Sequence, residues 1–277
     1  MLVHPHTGPV HPHTGSVRVA AVARAIESMR AGLAGPRPLA ELARTARYSP
    51  FHFHRIFREV TGVTPARFLA ALRMAEARRL LVHSPLTVTE ISRRVGYESP
   101  STFTTQFGRL LGIAPHGFRR LMRALCDVTV GALLPALPRP AGGPGEGRTT
   151  GRCVLALAGD ANRPALVVGG LRPAGGLGER PGWWVATTGT TRLRLPVHPQ
   201  PGDYSAVAVV VPARTRLTDA FVDEVPGSYL LGVARLRLPS DQDLAAIRVP
   251  LRGPRPTDPP MVAAAPVRWL TARCRHW

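Results

Sequence analysis

Two stretches of this chain are copies of one another, so any fold it adopts has to use the same unit twice. A shift of fifty residues lays Ser49, Pro50, Phe53, Phe57, Gly62, Pro65 and Phe68 onto Ser99, Pro100, Phe103, Phe107, Gly112, Pro115 and Phe118. Upstream the offset is forty-nine, where Glu41, Leu42 and Tyr48 meet Glu90, Ile91 and Tyr97, with Glu98 as the extra residue. The shared residues have distinct mechanical uses: aromatics fill cores, prolines open helices and glycines close them.

Each copy reads as helix, tight turn, helix. The leading short helix is expected over 39–46 in the first copy and 88–95 in the second. The second opens with the capping box Thr87-x-x-Glu90, which satisfies free amide donors at a helix start. Ser49-Pro50 and Ser99-Pro100 then start a second helix, serine as the cap and proline at the first helical position. Gly62 and Gly112 end it, and Thr64-Pro65 and Ala114-Pro115 begin the next. A continuous helix over 64–84, with Phe68, Leu69, Leu72, Ala75 and Leu80 buried, would hold the two units at a fixed separation. This is the geometry that sets a second, recognition helix into a DNA major groove.

The faces of those second helices separate by period. In the first, Phe53, Ile56, Phe57 and Val60 form an inward stripe, leaving Phe51, His54, Arg55 and Arg58 outward. In the second, Phe103, Phe107 and Leu110 point inward and Ser101, Thr104, Thr105 and Gly108 outward. Arg pairs bidentately with a guanine edge, His donates or accepts, and an aromatic packs on a thymine methyl, whereas Ser and Thr select weakly. Unequal halves follow: the first helix specifies and the second mainly positions against phosphate. The candidate DNA-contacting set is Pro50, Phe51, His54, Arg55, Arg58, Ser99, Ser101, Thr104 and Thr105.

Charge agrees with a polyanionic partner. The formal net charge is +19 and every basic residue other than histidine is Arg, with no Lys in the chain. That replacement points to a GC-rich genome, so position counts for more than number. Between Val17 and Leu125 lie 18 Arg against six Glu and no Asp, a balance of +12; from Cys126 onward the balance is +7. Counterion release would supply the sequence-independent part of binding.

The rest of the chain divides by composition. Residues 1–16 carry the duplicated His-Pro-His-Thr-Gly and are expected as a disordered tail, metal binding by the four histidines being the alternative. An amphipathic helix begins at Val17, with Val19, Val22, Ala23, Ile26, Met29 and Leu33 on one face and Gly35-Pro36 as its stop. The helical domain is expected over 17–125, a Pro/Gly linker over 126–150, a second domain over 151–270 and a short tail over 271–277. The second domain holds seven short apolar runs, at 153–158, 165–168, 183–186, 192–197, 204–211, 229–238 and 247–251, which point to a β-sandwich. The expected fold class is therefore α + β multidomain: an all-α double helix-turn-helix, then an all-β sandwich-like domain.

The residues at 46–62 and 96–118 resemble the AraC/XylS family of bacterial transcription regulators. The segment Gly-Tyr-Glu-Ser-Pro-Ser-Thr-Phe-Thr-Thr-Gln-Phe-Gly-Arg-Leu-Leu-Gly-Ile-Ala-Pro-His-Gly-Phe-Arg carries most of the likeness, which covers about 19–122. The resemblance implies two helix-turn-helix units joined by a long helix, double-stranded DNA as ligand, and transcription activation through RNA polymerase. It puts Phe51, His54 and Arg55 at base-contacting positions of the first unit and Ser101, Thr104 and Thr105 at those of the second. Thr105 stands where many relatives carry Arg. Family members often place a sensory domain first, whereas here the extra domain follows. Its segment 192–211 resembles the strand-turn-strand of transthyretin-like, carboxypeptidase-regulatory sandwiches, a module that could bind a small-molecule effector, pair with itself, or only stabilise the chain.

Enzymatic readings find little support. His198, Asp203 and Ser205 come without a nucleophile elbow. Cys274, in Arg273-Cys-Arg-His276, has neither the setting nor the following fold of an alkyltransferase cysteine, and Trp183-Trp184 reads as part of a core strand or as the lining of a ligand pocket. Cys126, Cys153 and Cys274 form no CxxC pair. With no secretory pattern and no apolar run of about 18 residues, the expectation is a cytoplasmic, nucleoid-associated bacterial regulator, not an enzyme, with no cofactor and no membrane. A ligand-independent repressor or architectural DNA-binding protein is the alternative.

Overall fold

The computed structural model describes residues 12–136, 153–159, 163–173, 183–195, 200–238 and 246–261. They fall into two compact units, one built around the helices to Leu125 and the other around the strands.

In the helical unit, α1 (Pro12–Ala31) packs on α2 (Leu39–Thr45) and α3 (Pro50–Thr61). The long α4 (Pro65–His83) leads to α5 (Val88–Arg94), α6 (Pro100–Leu111) and α7 (Pro115–Ala124), and α7 packs back on α4. The helix begins at Pro12, so residues 12–16 do not belong to a disordered tail; proline is tolerated in a first turn, where its missing N–H has no partner to lose. The rest of the expected tail, with three of its four histidines, lies outside the described residues. The core face of α1 is Ala21, Val22, Ala25, Ile26 and Met29, while Val19 is 45% exposed and the helix stops before Gly35. Small alanines are invisible to a search for large apolar residues, yet they set how closely helices approach.

The repeat becomes a repeated core. Phe53, Phe57 and Phe68 meet edge-on at centroid separations of 5.5 and 5.4 Å; Phe103 tilts against Phe107 at 5.6 Å, and Phe107 meets Phe118 edge-on at 5.5 Å. All six rings are fully buried. The inner stripes close with Thr61 and Leu111; the expected Val60 and Leu110 are only half-buried. In α4 the buried set is Phe68, Ala71, Leu72, Met74, Ala77, Arg78 and Leu81, so Leu69, Ala75 and Leu80 lie at the edge of the core and not inside it. Phe221–Asp223 and residues 255–261 also cluster with this unit. Arg78 is buried there, and its Nη1 donates to the carbonyls of Phe221 at 2.9 Å and Met261 at 2.7 Å. Sequence composition had put these segments in the second domain.

All seven apolar runs are strands: β1 (Cys153–Ala158), β2 (Ala165–Pro173), β3 (Trp183–Thr188), β4 (Arg192–Leu195), β5 (Gly202–Pro212), β6 (Leu230–Leu238) and β7 (Ile247–Arg252). They do not form a two-sheet sandwich. A single seven-stranded sheet runs in the order β3-β2-β5-β6-β7-β1-β4, with β1 and β7 parallel and the other pairs antiparallel. It curls until β2 meets the far edge: a Cβ on Gly169 of β2 would sit 2.4 Å from Leu193 Cδ1 of β4. The interior is lined by Leu155, Val167, Leu193, Ala206, Ala208, Ala234, Leu236 and Val249 among others. Strand number and alternation are local properties; which edges meet is set by the small residues Gly169, Ala206, Ala208 and Ala234, which leave room for the sheet to close.

Two short helices were not foreseen. The stretch to Ala136, expected as linker, carries α8 (Val130–Leu133) and a 3-10 turn (Leu134–Ala136). Val130 and Gly131 donate to the carbonyls of Thr215 and Ala213, and α8 covers β2 and β5. That cover buries both faces of β2 from Ala165 to Leu171. The second helix is α9 (Leu217–Phe221).

Candidate nucleic-acid interface

The exposed stripe of α3 starts at its N-terminus. Ser49 sits at the N-cap position with extended backbone but makes no side-chain cap bond, and Pro50 follows at the first helical position. Phe51 is 84% exposed, far more than any other large apolar residue on this unit. Arg55 and Arg58, one and two turns on, are exposed as well. His54 is half-buried and lines a cleft of about 390 Å³ with Arg37, Leu39, Leu42, Pro65 and Leu69. Of the four outward candidates, then, Phe51, Arg55 and Arg58 share one surface and His54 stands at its rim.

Arg55 is held by neighbours one turn away on its own helix, and one of these is tied in turn to α1. Its Nη1 meets Glu59 Oε1 at 3.0 Å and its Nη2 reaches His52 Nδ1 at 3.4 Å. Glu59 is shared with Arg18 of α1 at 3.5 Å, and His52 packs on the Tyr48 ring at 5.1 Å. The Arg55–Glu59 pair is about half exposed on both sides, so it contributes only a few tenths of a kcal/mol. It orients the guanidinium along the helix and is cheaply exchanged for a better acceptor.

On α6, Ser101, Thr104 and Thr105 are exposed and Ser99, the N-cap, is half-exposed. Ser99 Oγ accepts from the Thr102 N–H at 3.4 Å and lies 2.5 Å from Ser101 Oγ. Gly108 is half-exposed, with open space where a Cβ would stand. Arg109, one turn beyond Thr105 and exposed, belongs on this surface too, its Nη2 donating to Gln106 Oε1 at 3.0 Å. Sequence reasoning missed it, although the signal was present: at the fifty-residue offset Arg109 replaces Glu59 as Thr105 replaces Arg55. The charge is moved one turn along the helix.

The turns ahead of the two helices differ. Gly96 takes φ +85°, with no room for a Cβ, which would lie 2.7 Å from the Ala34 carbonyl and Arg73 Nη2. Arg47, its counterpart at the forty-nine-residue offset, holds φ +61°. Beside Gly96, burial raises the Tyr97 hydroxyl pKa against the opposing charges of Arg73 and Arg109, and Arg73 lies 5.8 Å from the ring centre. In the strand unit, burial pushes the Cys153 thiol up to about 11, which keeps it neutral. Trp183 and Trp184 belong to β3, while His198 and Cys274 lie outside the described residues. No helix among the described residues is long and apolar enough to cross a membrane.

This arrangement of helices, used twice, defines a double helix-turn-helix domain. Residues 42–121 match the family model described as a helix-turn-helix domain, and they are a domain of AraC/XylS type. The HTH-type transcriptional regulator GlxA of Rhizobium meliloti is 37% identical over 95 residues, 34% of this chain and 29% of that protein. The HTH-type transcriptional activator RhaS of Escherichia coli is 42% identical over 67 residues, 24% of each. The chain thus spans about a third or less of these curated relatives. Among solved structures, the DNA-binding domain of AdpA, described as a global transcriptional factor in complex with a target DNA, shows 33% identity with a TM-score of 0.36, over 38% of this chain and 94% of that one.

Proposed function

We propose that the chain is a sequence-specific DNA-binding transcription regulator that activates by setting α3 and α6 into adjacent major grooves of double-stranded DNA. One observation carries the reading: a single aromatic scaffold, built twice, leaves an exposed stripe on α3 and another on α6, and α4 joins the two. Phe51, Arg55 and Arg58 read bases, with His54 at the rim and Pro50 beside the backbone. Ser99, Ser101, Thr104 and Thr105 position the second unit, helped by Arg109. RNA polymerase is the partner that activation requires, and the strand unit is the place for any small-molecule effector. The role is one of binding, in keeping with relatives named as regulators, and its setting is the cytoplasmic nucleoid of a bacterium.

The test selects genomic fragments with the full chain and measures affinity for the winners at two salt concentrations. Arg55→Ala is expected to cost about 1–3 kcal/mol and to relax one position of the motif, while Thr105→Ala changes little. Failure to enrich any motif, with affinity governed by salt alone, would remove the specific-regulator reading. An unchanged motif that represses in a reporter assay would replace activator with repressor.

A further inference from the structure

The strand unit carries a basic face whose composition and layout the helix-turn-helix reading leaves unused. Alternation puts Cys153, Leu155 and Leu157 of β1 inside the barrel and Val154, Ala156 and Ala158 outside. The strands on either side of β1 bring arginine to that outer surface. Ala156 is directly opposite Arg192 of β4 on one side and Arg248 of β7 on the other, and Val154 faces Arg194. All three arginines are exposed. Neighbouring strands lie roughly 4.8 Å apart and alternate residues roughly 6.6 Å, so Arg192 and Arg248 flank Ala156 with Cα atoms about 10 Å apart. On β6, Arg235 and Arg237 are exposed by the same alternation. The only acid among the described strand residues is Asp203 of β5, opposite Arg237 and 4.0 Å from its Nε.

We propose that this β4-β1-β7 face binds the sugar-phosphate backbone of duplex DNA, as a second contact surface independent of base sequence. Three features select that occupant. Guanidinium forks match phosphate oxygens bidentately, and they stand here in an array with almost no competing carboxylate. The centre holds only the short side chains of Val154 and Ala156 on the outside of the curled sheet, so the arginines spread over a surface and do not converge in a concave pocket of the kind small ligands need. None of the described residues facing outward from these three strands or from β6 is aromatic, whereas single-strand binders stack bases on aromatic side chains. A polymer with closely spaced phosphates along a stiff axis satisfies all three conditions. The proposal goes beyond the helix-turn-helix reading and stands or falls separately from it.

The experiment measures binding of the full chain to a random-sequence duplex of about 30 base pairs across a salt series. It compares Arg192→Ser/Arg248→Ser with the control pair Arg214→Ser/Arg216→Ser, exposed arginines from the α8-covered side of the same unit. Each phosphate contact contributes about 0.9 to the slope of log affinity against log salt, so the first variant is expected to lose about 2 and the control none. Circular dichroism checks that both pairs fold alike. An unchanged slope in the first variant, or an equal loss in both, overturns the proposal, the second outcome meaning that only net charge is felt. Phosphatidylserine vesicles are the companion probe; loss of vesicle binding with duplex binding intact makes the partner a membrane and also overturns it. If Arg55→Ala has no effect on any sequence while the slope still falls in the β4/β7 variant, only the regulator reading fails.

Discussion

Arg47 and Gly96 occupy the same place in two copies of one turn, and a left-handed backbone is demanded at both. For a side-chain-bearing residue that conformation costs roughly 1–2 kcal/mol, and glycine gives back roughly 0.4–1 kcal/mol of this through the flexibility of the unfolded chain. Arg47→Gly is therefore expected to raise the stability of the helical unit by up to about 1 kcal/mol, read as a higher denaturant midpoint. Gly96→Ala is expected to lower it by more than 1 kcal/mol, because strain adds to the clash with the Ala34 carbonyl. A lower midpoint for Arg47→Gly would mean that the Arg47 side chain contributes more than its backbone costs. At this scale the sequence was only partly legible. The repeat marks the two positions as equivalent, but nothing in the letter Arg announces a positive φ.

The second copy starts its short helix more firmly than the first. Thr87 Oγ1 accepts from the Glu90 N–H at 3.2 Å while Glu90 Oε2 accepts from the Thr87 N–H at 2.7 Å, whereas α2 begins at Pro38 with no side-chain cap. The backbone bond from Thr87, then its hydroxyl, holds the Glu90 carboxyl below its ordinary value. The sign follows directly: a carboxylate with a depressed folded pKa stabilises the helix above its unfolded value near 4.5, and this contribution is lost as pH falls through the lower folded value. Amide exchange at Glu90 and Ile91 is expected to accelerate as pH falls below that range, beyond the intrinsic change, and Thr87→Ala is expected to cost about 1 kcal/mol of protection. Exchange in Thr87→Ala matching the wild type would show the box to be idle. The capping box was readable from Thr87-x-x-Glu90, since it depends on four consecutive residues. The Arg55–Glu59 pair was readable in the same way, one turn apart on α3, but the sharing of Glu59 with Arg18 was not, because it joins α1 to α3 across about forty residues.

At the scale of the molecule, the proposed function makes the length of α4 the ruler for the DNA site. Rigid coupling through α4 predicts two half-sites about one helical turn apart, roughly 34 Å. Inserting five base pairs between them turns one half-site to the opposite face of the duplex, and affinity is expected to fall to that of the better half-site alone. Equal affinity for the original and lengthened sites would show that the units bind without coupling.

By itself, the sequence determined the duplicated helical unit, the inward aromatics, the exposed Phe51 and Arg55, and the existence of seven strands. The duplication is written in the sequence as a repeat at an offset of about fifty residues. The rest depend on spacing within about twenty residues, where helix and strand periods leave a direct imprint. Tertiary structure decided the rest. It joined seven strands into one curled sheet and not two stacked ones, turned part of the expected linker into α8, and drew Phe221–Asp223 onto the buried Arg78 of the helical unit. It also brought Arg192 and Arg248 to either side of Ala156, residues far apart in the chain. The physical reason is common to these cases. Strand partners and buried charges are chosen by which surfaces can close on one another with their hydrogen bonds satisfied, a property of the assembled core that no local pattern records.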